Sequence, residues 1–346
     1  MLIHHRLTLT VALSLAVLVM ISSCQSGGNA PFGDAIGATD SVPPSIPPPT
    51  AADGVRIGAY VSARDRTASE ADEHFAEQIG GSFGLVRVYQ RWDDAFPTPF
   101  HRQLREDGRT MLLSVRAQTR SGVDVSWRDI AEARPGSDPY DRMVKWADSV
   151  KAYGVPVYVI FHHEPEGFWN TNGDADDFVA AWRNWVTIFR SRGADNVEFV
   201  WNMTGGAFAS TGRQKAQDWY PGDDVVDHLG ADPYNWYQCR GGSGTWRSLE
   251  VLVEPFRRFG ANHPGKGLML PEWGTVEDDA RPGRKAEWLD QARTLFTRPG
   301  YEQFVALTYF HSEHGGGTSC YWWLDSSPSA LAAFGDFLDD PAYRSD

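Results

Sequence analysis

The sequence predicts an α/β protein whose eight strand-helix units close into a (β/α)8 TIM barrel. Short apolar runs suited to buried parallel strands recur along the chain, periodic helical segments separate several of them, and no Pro/Gly/Ser linker interrupts them after residue 53. Eight units in about 290 residues fit a closed barrel better than an open sheet. The runs are Val55–Tyr60, Leu85–Tyr89, Met111–Val115, Val155–Phe161, Val197–Trp201, Val226–Ala231, Leu268–Leu270 and Phe304–Tyr309.

Two of the helical segments have recognisable ends. In the first, Asp138 is expected to cap the helix, Pro139 to begin it and Gly154 to end it just before the fourth strand. The second segment ends at Gly193. One of its faces carries four aromatic residues at helical spacing, which are Phe178, Trp182, Trp185 and Phe189.

Composition narrows the class of protein. The 346 residues contain 32 Lys+Arg and 45 Asp+Glu, a net charge of −13, and no basic run offsets it, so no nucleic-acid partner is expected. The 14 Trp, 12 Tyr and 18 Phe make an aromatic fraction of 13%. Aromatic faces bind sugars and other rings, although many of these residues are expected to be ordinary core.

The N-terminal region predicts export. A weakly basic start is followed by the apolar run Leu7–Ile21 and then by Cys24, so residues 1–23 are predicted to be a lipoprotein signal peptide. Ile21–Cys24 resembles a bacterial lipobox, which implies a lipid on Cys24; an ordinary secretory signal with an incidental cysteine is the alternative. Residues 24–53, rich in Pro, Gly and Ser, are predicted to form a tether to a domain at 54–346. The expected location is the outer side of the bacterial cell membrane, held by the lipid alone.

Two cysteines remain after Cys24. Export to an oxidising compartment favours a disulfide between Cys239 and Cys320, whereas two distant cysteines are a poor metal site. The two residues follow the sixth and eighth predicted strands, so a disulfide would join two loops on one face of the barrel.

Glutamates follow two of the predicted strands. Glu164 comes after the fourth apolar run and Glu272 after the seventh. In a barrel of this class the chemistry lies at the C-terminal ends of the strands, and a pair of carboxyl groups is the usual means of hydrolysing a glycosidic bond. Either glutamate alone would more simply cap a helix or pair with an arginine at the rim. The two together favour paired acid–base chemistry.

A metal or cofactor is not expected. His162, His163, His311 and His314 supply nitrogen ligands, but they form no His-Glu-x-x-His pattern on a helix. No Gly-rich phosphate loop follows a strand.

The chain resembles glycoside hydrolase family 26 of clan A, a family best known for endo-β-1,4-mannanases. The similarity covers most of residues 54–341 and is specific in the central and seventh-strand motifs, with His163 rather than Asn before the glutamate. Pro165-Glu166 departs from the usual mannanase pattern and marks a divergent member. The resembling motifs are Phe161–Glu164, Gly167–Trp169, Val200–Asn202, Trp219–Asp224, Val226–Trp236 and Pro271–Gly274.

The resemblance implies a role for individual residues. Glu164 would be the general acid/base and Glu272 the nucleophile of a retaining reaction. Tyr234 would hydrogen-bond the nucleophile, whereas Arg87 is expected either to approach it or to form a rim ion pair. The remaining substrate-binding candidates are His163, Trp169, Asp232 and Trp322.

The sequence therefore predicts an exported, monomeric glycoside hydrolase acting on a β-linked polysaccharide, most simply a β-1,4-mannan. The alternative is a non-catalytic surface lipoprotein that binds carbohydrate on a hydrolase scaffold. The presence of both glutamates together with Tyr234 favours the enzyme over the non-catalytic binding protein.

Overall fold

The computed structural model describes residues 54–239, 244–313 and 320–344. The predicted signal peptide, the tether, Cys24 and His314 lie outside these residues. In the described part of the chain, no helix is both long and apolar enough to cross a membrane.

Eight parallel strands close into a barrel, as the sequence predicts. The first barrel strand pairs with both the second and the last, which completes the ring. Two short strands pair beside this ring: Tyr234–Asn235 pairs with the seventh barrel strand, and Tyr343–Arg344 pairs with the first. The barrel strands are β1 Val55–Val61, β2 Leu85–Arg91, β3 Thr110–Arg116, β4 Val157–Phe161, β5 Val197–Thr204, β6 His228–Asp232, β8 Gly267–Thr275 and β9 Phe304–His311; the two short strands are β7 Tyr234–Asn235 and β10 Tyr343–Arg344.

Helices cover the outside of the barrel. Each of the eight predicted apolar runs overlaps a barrel strand, and helical segments lie between most of them. The α-helices are α1 Ala68–Ile79, α2 Pro99–Glu106, α3 Trp127–Ala131, α4 Asp138–Tyr153, α5 Ala175–Ser191, α6 Leu249–Gly260, α7 Arg284–Leu295 and α8 Pro328–Asp339.

Helix α4 begins one residue earlier than the sequence predicts. Asp138 is the first helical residue and Ser137 occupies the N-cap, without a side-chain hydrogen bond to the helix. Proline is equally tolerated at the second helical position, where its missing N–H has no partner to lose. Gly154 ends the helix as predicted, because its φ of 81° lies in the left-handed region that glycine adopts without strain.

The core has two layers. Between strands and helices lies a large apolar cluster that includes the four aromatic side chains of α5, all fully buried as their spacing predicts. A second, smaller cluster fills the barrel interior. Its members alternate along the strands with the outward-facing residues. They are Leu85, Leu112, Tyr158, Ile160, Val200, Met269, Val305 and Ala306.

Cys239 and Cys320 form the predicted disulfide. Their Cα atoms are 5.3 Å apart, and the bond closes a loop of 81 residues in sequence. Cys239 follows β7 and Cys320 follows β9, so the bond joins two loops at the C-terminal end of the barrel.

Candidate active site

Glu164 and Glu272 meet at the C-terminal mouth of the barrel. Glu272 lies within β8, the seventh barrel strand, and Glu164 follows the end of β4. Both line a cavity of about 650 Å³ whose walls come mainly from the loops after β5, β6 and β7. The ends of β4 and β8 therefore open onto one cavity.

Two left-handed residues shape the turn after β4. His162 has a φ of 49° and Glu164 a φ of 51°, a conformation that is uncommon for residues with a Cβ. The first breaks the strand alternation, so His162 lies in the helix layer, where its Nδ1 accepts a hydrogen bond from Trp127 Nε1 at 3.1 Å. His163 is thereby directed to the mouth, with Nδ1 2.9 Å from Ser114 Oγ.

The turn that carries Glu164 is fastened to β5. The backbone N–H of Glu164 donates to the carbonyl of Asn202 at 3.1 Å. Two residues on, Glu166 Oε1 accepts hydrogen bonds from both the backbone N–H and the hydroxyl of Thr204, each at 2.7 Å. These contacts hold the backbone of Glu164 against a neighbouring barrel strand.

The two glutamates lie close together. A carboxylate oxygen of Glu164, one of Glu272 and one of Asp232 all lie within 4.8 Å of one another. Three carboxyl groups at this distance cannot all ionise readily, because each charge raises the pKa of its neighbours.

Glu272 is the member of this cluster that stays ionised. Its Oε1 accepts from Tyr89 Oη at 2.6 Å and from Arg87 Nη2 at 3.3 Å, while Oε2 accepts from Tyr234 Oη at 2.8 Å. Burial opposes the charge, since only 7% of Glu272 is exposed. The charge of Arg87 and these hydrogen bonds outweigh it and hold the pKa of Glu272 below its ordinary value.

Asp232 favours its protonated form. It is buried at the end of β6 and accepts a hydrogen bond from Asn202 Nδ2 at 2.7 Å. Burial, followed by the charges of Glu272 and Glu164, raises the pKa of Asp232 well above its ordinary value. The environment thus splits chemically similar groups into charged and neutral ones.

His163 is neutral in this setting. Burial lowers the pKa of His163 to about 4, and the positive charges of Arg87 and Arg116 act in the same direction against the charge of Glu272. Its ring also packs edge-on against Tyr89, with centroids 5.4 Å apart. A neutral ring beside Glu272 is suited to hydrogen bonding at the mouth rather than to ion pairing.

The aromatic candidates separate into two places. Trp322 lines the cavity and packs on Tyr234, with ring centroids 4.8 Å apart. Trp169 is 44% exposed and does not line this cavity; the guanidinium of Arg213 covers its ring at 4.0 Å from the centroid. Trp236 lines the cavity instead. It ends the motif Val226–Trp236, but the sequence predicted no role for it.

Sequence reasoning did not identify several site residues. Tyr89 and Ser114 both contact the candidate residues, yet each lies within a largely apolar strand whose local pattern indicates core. Strand parity was the available signal, because Arg87 and Tyr89 share a face of β2 that a residue count alone identifies. Arg87 itself, left open between two interpretations, pairs with Glu272 and is 1% exposed.

The histidines do not converge on a metal site among the described residues. His162 lies in the helix layer, and His311 Nδ1 accepts from the backbone N–H of Leu324 at 3.0 Å. The three-carboxylate cluster is the group that could hold a cation. Within it, both oxygens of Glu272 already accept hydrogen bonds from the protein.

Residues 137–267 match the sequence model of glycosyl hydrolase family 26. The chain is therefore similar to this family over 131 of its 346 residues, a segment that includes Glu164, Asp232 and Tyr234.

Two curated relatives are similar to the chain in sequence. Endoglucanase H of Acetivibrio thermocellus is 26% identical over 299 residues, and a β-1,3-xylanase of an Alcaligenes species is 31% identical over 85 residues. These alignments cover 81% and 24% of this chain, but only 30% and 18% of the relatives, so the chain spans less than a third of either protein.

Solved structures of family 26 members share the fold. The catalytic domain of an endo-β-1,4-mannanase from Bacillus sp. JAMB-750 superposes with a TM-score of 0.60 at 15% identity, covering 85% of this chain and 88% of that one. For a β-mannanase of Bacteroides ovatus the TM-score is 0.55 at 16% identity, with 84% and 90% covered.

Replacing Tyr234 with phenylalanine is expected to move the acid limb of the pH profile upward. The hydroxyl donates to ionised Glu272, and a hydrogen bond to a charged group is worth roughly 1.5–3 kcal/mol, or about one to two pKa units. The pH dependence of kcat/KM measures this pKa. Tyr158→Phe, in the barrel interior, is the matched control. An acid limb unchanged by Tyr234→Phe would contradict the assigned contact.

Glu166 is expected to make stability fall as pH rises. Burial raises the pKa of Glu166 from 4.5 to about 7, so the folded protein keeps a proton that the unfolded chain releases. That contribution is full below pH 4.5 and is lost by about pH 7, amounting to roughly 3 kcal/mol. Glu166→Gln should remove this slope in denaturant titrations, whereas Glu198→Gln, whose carboxyl has a lowered pKa, should not. Parallel slopes in the wild type and Glu166→Gln would refute the prediction.

Proposed function

We propose that this protein is a retaining glycoside hydrolase that cleaves a β-1,4-mannan-type polysaccharide by double displacement. Glu164 acts as the acid/base and Glu272 as the nucleophile. The observation that carries the proposal is the approach of their carboxylate oxygens to within 4.8 Å. Retaining enzymes hold the two groups roughly 5–5.5 Å apart, whereas inverting enzymes leave about 6.5–9.5 Å for a water molecule.

The proposed reaction has two steps. In the first step, Glu272 attacks the anomeric carbon, the glycosidic C–O bond breaks, and Glu164 gives its proton to the leaving oxygen. In the second, Glu164 takes a proton from water, the water oxygen attacks the same carbon, and the bond to Glu272 breaks. Arg87, Tyr89 and Tyr234 keep Glu272 charged and ready for attack.

The neighbouring residues support this chemistry. Neutral His163 packs beside Tyr89, which itself donates to Glu272, and so fixes the position of the nucleophile from the β3 side. Trp322 supports Tyr234 from the opposite side. Aromatic and uncharged polar surfaces of this kind suit the alternating apolar and hydroxylated faces of a sugar ring.

The substrate class is inferred from the named relatives. The solved structures include family 26 mannanases, and the curated relatives are an endoglucanase and β-1,3-xylanases. All of these names describe enzymes of β-linked polysaccharides, among which mannan fits the family resemblance best. Reducing-end assays on soluble mannan, mixed-linkage glucan and xylan should show fastest release from mannan; a faster rate on another glycan would reassign the substrate.

The stereochemical course tests the mechanism independently of the substrate. Proton NMR during the first minutes of hydrolysis should show the β-anomer of the new reducing end before mutarotation. Initial release of the α-anomer would establish inversion and remove the nucleophile role of Glu272. Binding without hydrolysis of any glycan would favour the non-catalytic carbohydrate-binding alternative.

We also propose that the enzyme is exported and anchored through a lipid on Cys24, as the lipobox-like Ile21–Cys24 predicts. Two acyl chains bind a membrane stably, whereas one alone is marginal. Wild-type protein should fractionate with membranes and the Cys24→Ser protein should carry no lipid. Wild-type protein recovered wholly in the medium with an unmodified N-terminus would refute the anchor.

A further inference from the structure

Arg116 ends strand β3 and faces the mouth of the barrel. In the register between β2 and β3, Tyr89 lies opposite Ser114 and Arg91 lies opposite Arg116. Tyr89 and Ser114 both point inward, since they contact Glu272 and His163. Residues two positions further along share that face, so Arg116 lies one layer above them, at the rim of the catalytic mouth.

The charge of Arg116 acts on the candidate active site. It contributes to the lowered pKa values of both His162 and His163. Its guanidinium stacks on the ring of Phe168, 4.3 Å from the centroid, in the loop that follows Glu164. The stacking holds the guanidinium in one place, which reduces the entropy lost when it binds a ligand.

Arg116 has no acidic partner within residues 54–239, 244–313 and 320–344. Among these described residues, no hydrogen bond or ion pair involves its side chain, and its Nε atom is buried without a partner. Burial lowers the pKa of Arg116, and the nearest acidic group that acts on it, Asp124, already accepts a hydrogen bond from Gln118 at 2.7 Å. A half-buried cation without a counterion is costly unless a ligand supplies the anion.

The neighbouring charges on this side of the mouth are committed elsewhere. Arg91 donates to Gln118 Oε1. Asp94 forms an ion pair with Arg120, and the backbone N–H of Arg120 donates a hydrogen bond to Asp93. One residue beyond Phe168, Trp169 carries a second stacked guanidinium, that of Arg213, which also has no acidic partner among the described residues. The loop after the acid/base thus presents two adjacent aromatic rings, each with an unpaired arginine on its face.

We propose that Arg116 binds an anionic substituent of the polysaccharide, a uronic acid carboxylate or a sulfate ester, on the β3 side of the catalytic mouth. The proposal rests on the proposed glycosidase function and narrows its substrate to an acidic or acid-decorated β-glycan. The planar guanidinium fork matches the paired oxygens of either group. Arg213 on Trp169 extends the same preference along the loop. Because the net charge of −13 does not attract anionic polymers to the protein as a whole, this local cationic site would select the anionic substituent at the mouth.

The test compares two polymers, each in three charge states. Soluble galactomannan and soluble xylan are each prepared neutral, partly oxidised to carboxylates and partly sulfated, and kcat/KM is measured at low and high salt. Arg116→Gln should lower the ratio of anionic to neutral kcat/KM about tenfold or more, and Arg116→Lys should lower it less. Raising the salt concentration should weaken the wild-type preference. The derivative, carboxylated or sulfated, whose kcat/KM falls more in Arg116→Gln identifies the recognised group.

Arg142→Gln is the matched control. Arg142 lies in α4, in the helix layer, and like Arg116 forms no ion pair in the described part of the chain. It should leave the ratio unchanged. Thermal melting confirms that each variant is folded, and a destabilised Arg116→Gln protein is replaced by Arg116→Lys, for which a smaller decrease in the ratio is still required.

A ratio unaffected by both Arg116 variants, or an equal loss on neutral and anionic polymers, would overturn the proposal. Affinity electrophoresis through gels containing the same polymers separates it from the proposed function. If the wild type cleaves none of them, the hydrolase proposal is contradicted on these substrates. The binding arm still decides on Arg116, because greater retardation by the anionic polymers must then disappear in Arg116→Gln.

Discussion

Glu272→Ala is expected to lower kcat/KM on every substrate by at least about 10⁴-fold, or roughly 5.5 kcal/mol of transition-state stabilisation. Removal of the carboxylate removes the attacking group itself, so a better leaving group cannot compensate. It also leaves the buried charge of Arg87 without its ion-pair partner. Turnover of an activated aryl β-glycoside as fast as by the wild type would show that Glu272 is not the nucleophile.

The cavity left by Glu272→Ala allows a sharper test. Azide placed in the vacated space should attack the anomeric carbon of an activated aryl β-glycoside once, and a single displacement gives the α-glycosyl azide. The matched control is Glu198→Gln, because Glu198 lies near the start of β5 at the opposite end of the barrel, where it pairs with His228 at 2.5 Å. The control should retain wild-type turnover and form no azide adduct.

The barrel could be predicted from sequence because its strands are buried on both faces. Runs such as Val157–Phe161 have no charged or small polar residue, which is the pattern of a parallel strand between an inner and an outer core. The strand ends were less well defined. The seventh strand extends to Thr275 rather than Leu270, because Gly274 and Thr275 pair with the short strand β7, and Glu272 therefore lies within the strand rather than in a loop after it.

The site was predictable where a residue stands out from its neighbours. Glu164 and Glu272 are charges next to apolar runs and are visible without a structure. Tyr89 and Ser114 are not visible in this way, since tyrosine and serine are ordinary within strands and their function depends on which face they occupy. Which face that is depends on the register between β2 and β3, a long-range property that local pattern does not contain.

Local backbone conformation limited the prediction around Glu164. Simple alternation from Phe161 would direct His162 to the mouth and His163 to the helix layer. The positive φ of His162 reverses this order and brings His163 to Ser114. Nothing in the residue type announces it, because histidine adopts the left-handed region only when tertiary contacts, here with Trp127, stabilise it.

The same reasoning explains the fate of Trp169. The family resemblance implied a substrate-binding role for Trp169. Trp169 follows the short helical turn Pro165–Gly167 and does not line the cavity, and Arg213 covers its ring. Closeness in sequence to a catalytic candidate is therefore a weaker guide than position on a strand end.

Glu164→Ala is expected to separate substrates by their leaving groups. On polysaccharide, whose leaving oxygen needs a proton, kcat/KM should fall by about 10²–10⁴-fold. On a dinitrophenyl β-glycoside, whose leaving group departs as a stable anion, formation of the glycosyl-enzyme should proceed near the wild-type rate. Its hydrolysis, which needs Glu164 as a base, should become rate-limiting, so a burst of dinitrophenol should precede a slow steady state.

Azide distinguishes the two glutamates by product. In Glu164→Ala it should attack the glycosyl-enzyme from the side that water normally uses, so two displacements give the β-glycosyl azide and the steady state accelerates. Glu198→Gln is the matched control, because Glu198 pairs with His228 near the start of β5, at the opposite end of the barrel. It should show no burst and no azide product. Loss of activity in Glu164→Ala to the same extent on both substrates, without azide rescue, would refute an acid/base role for Glu164.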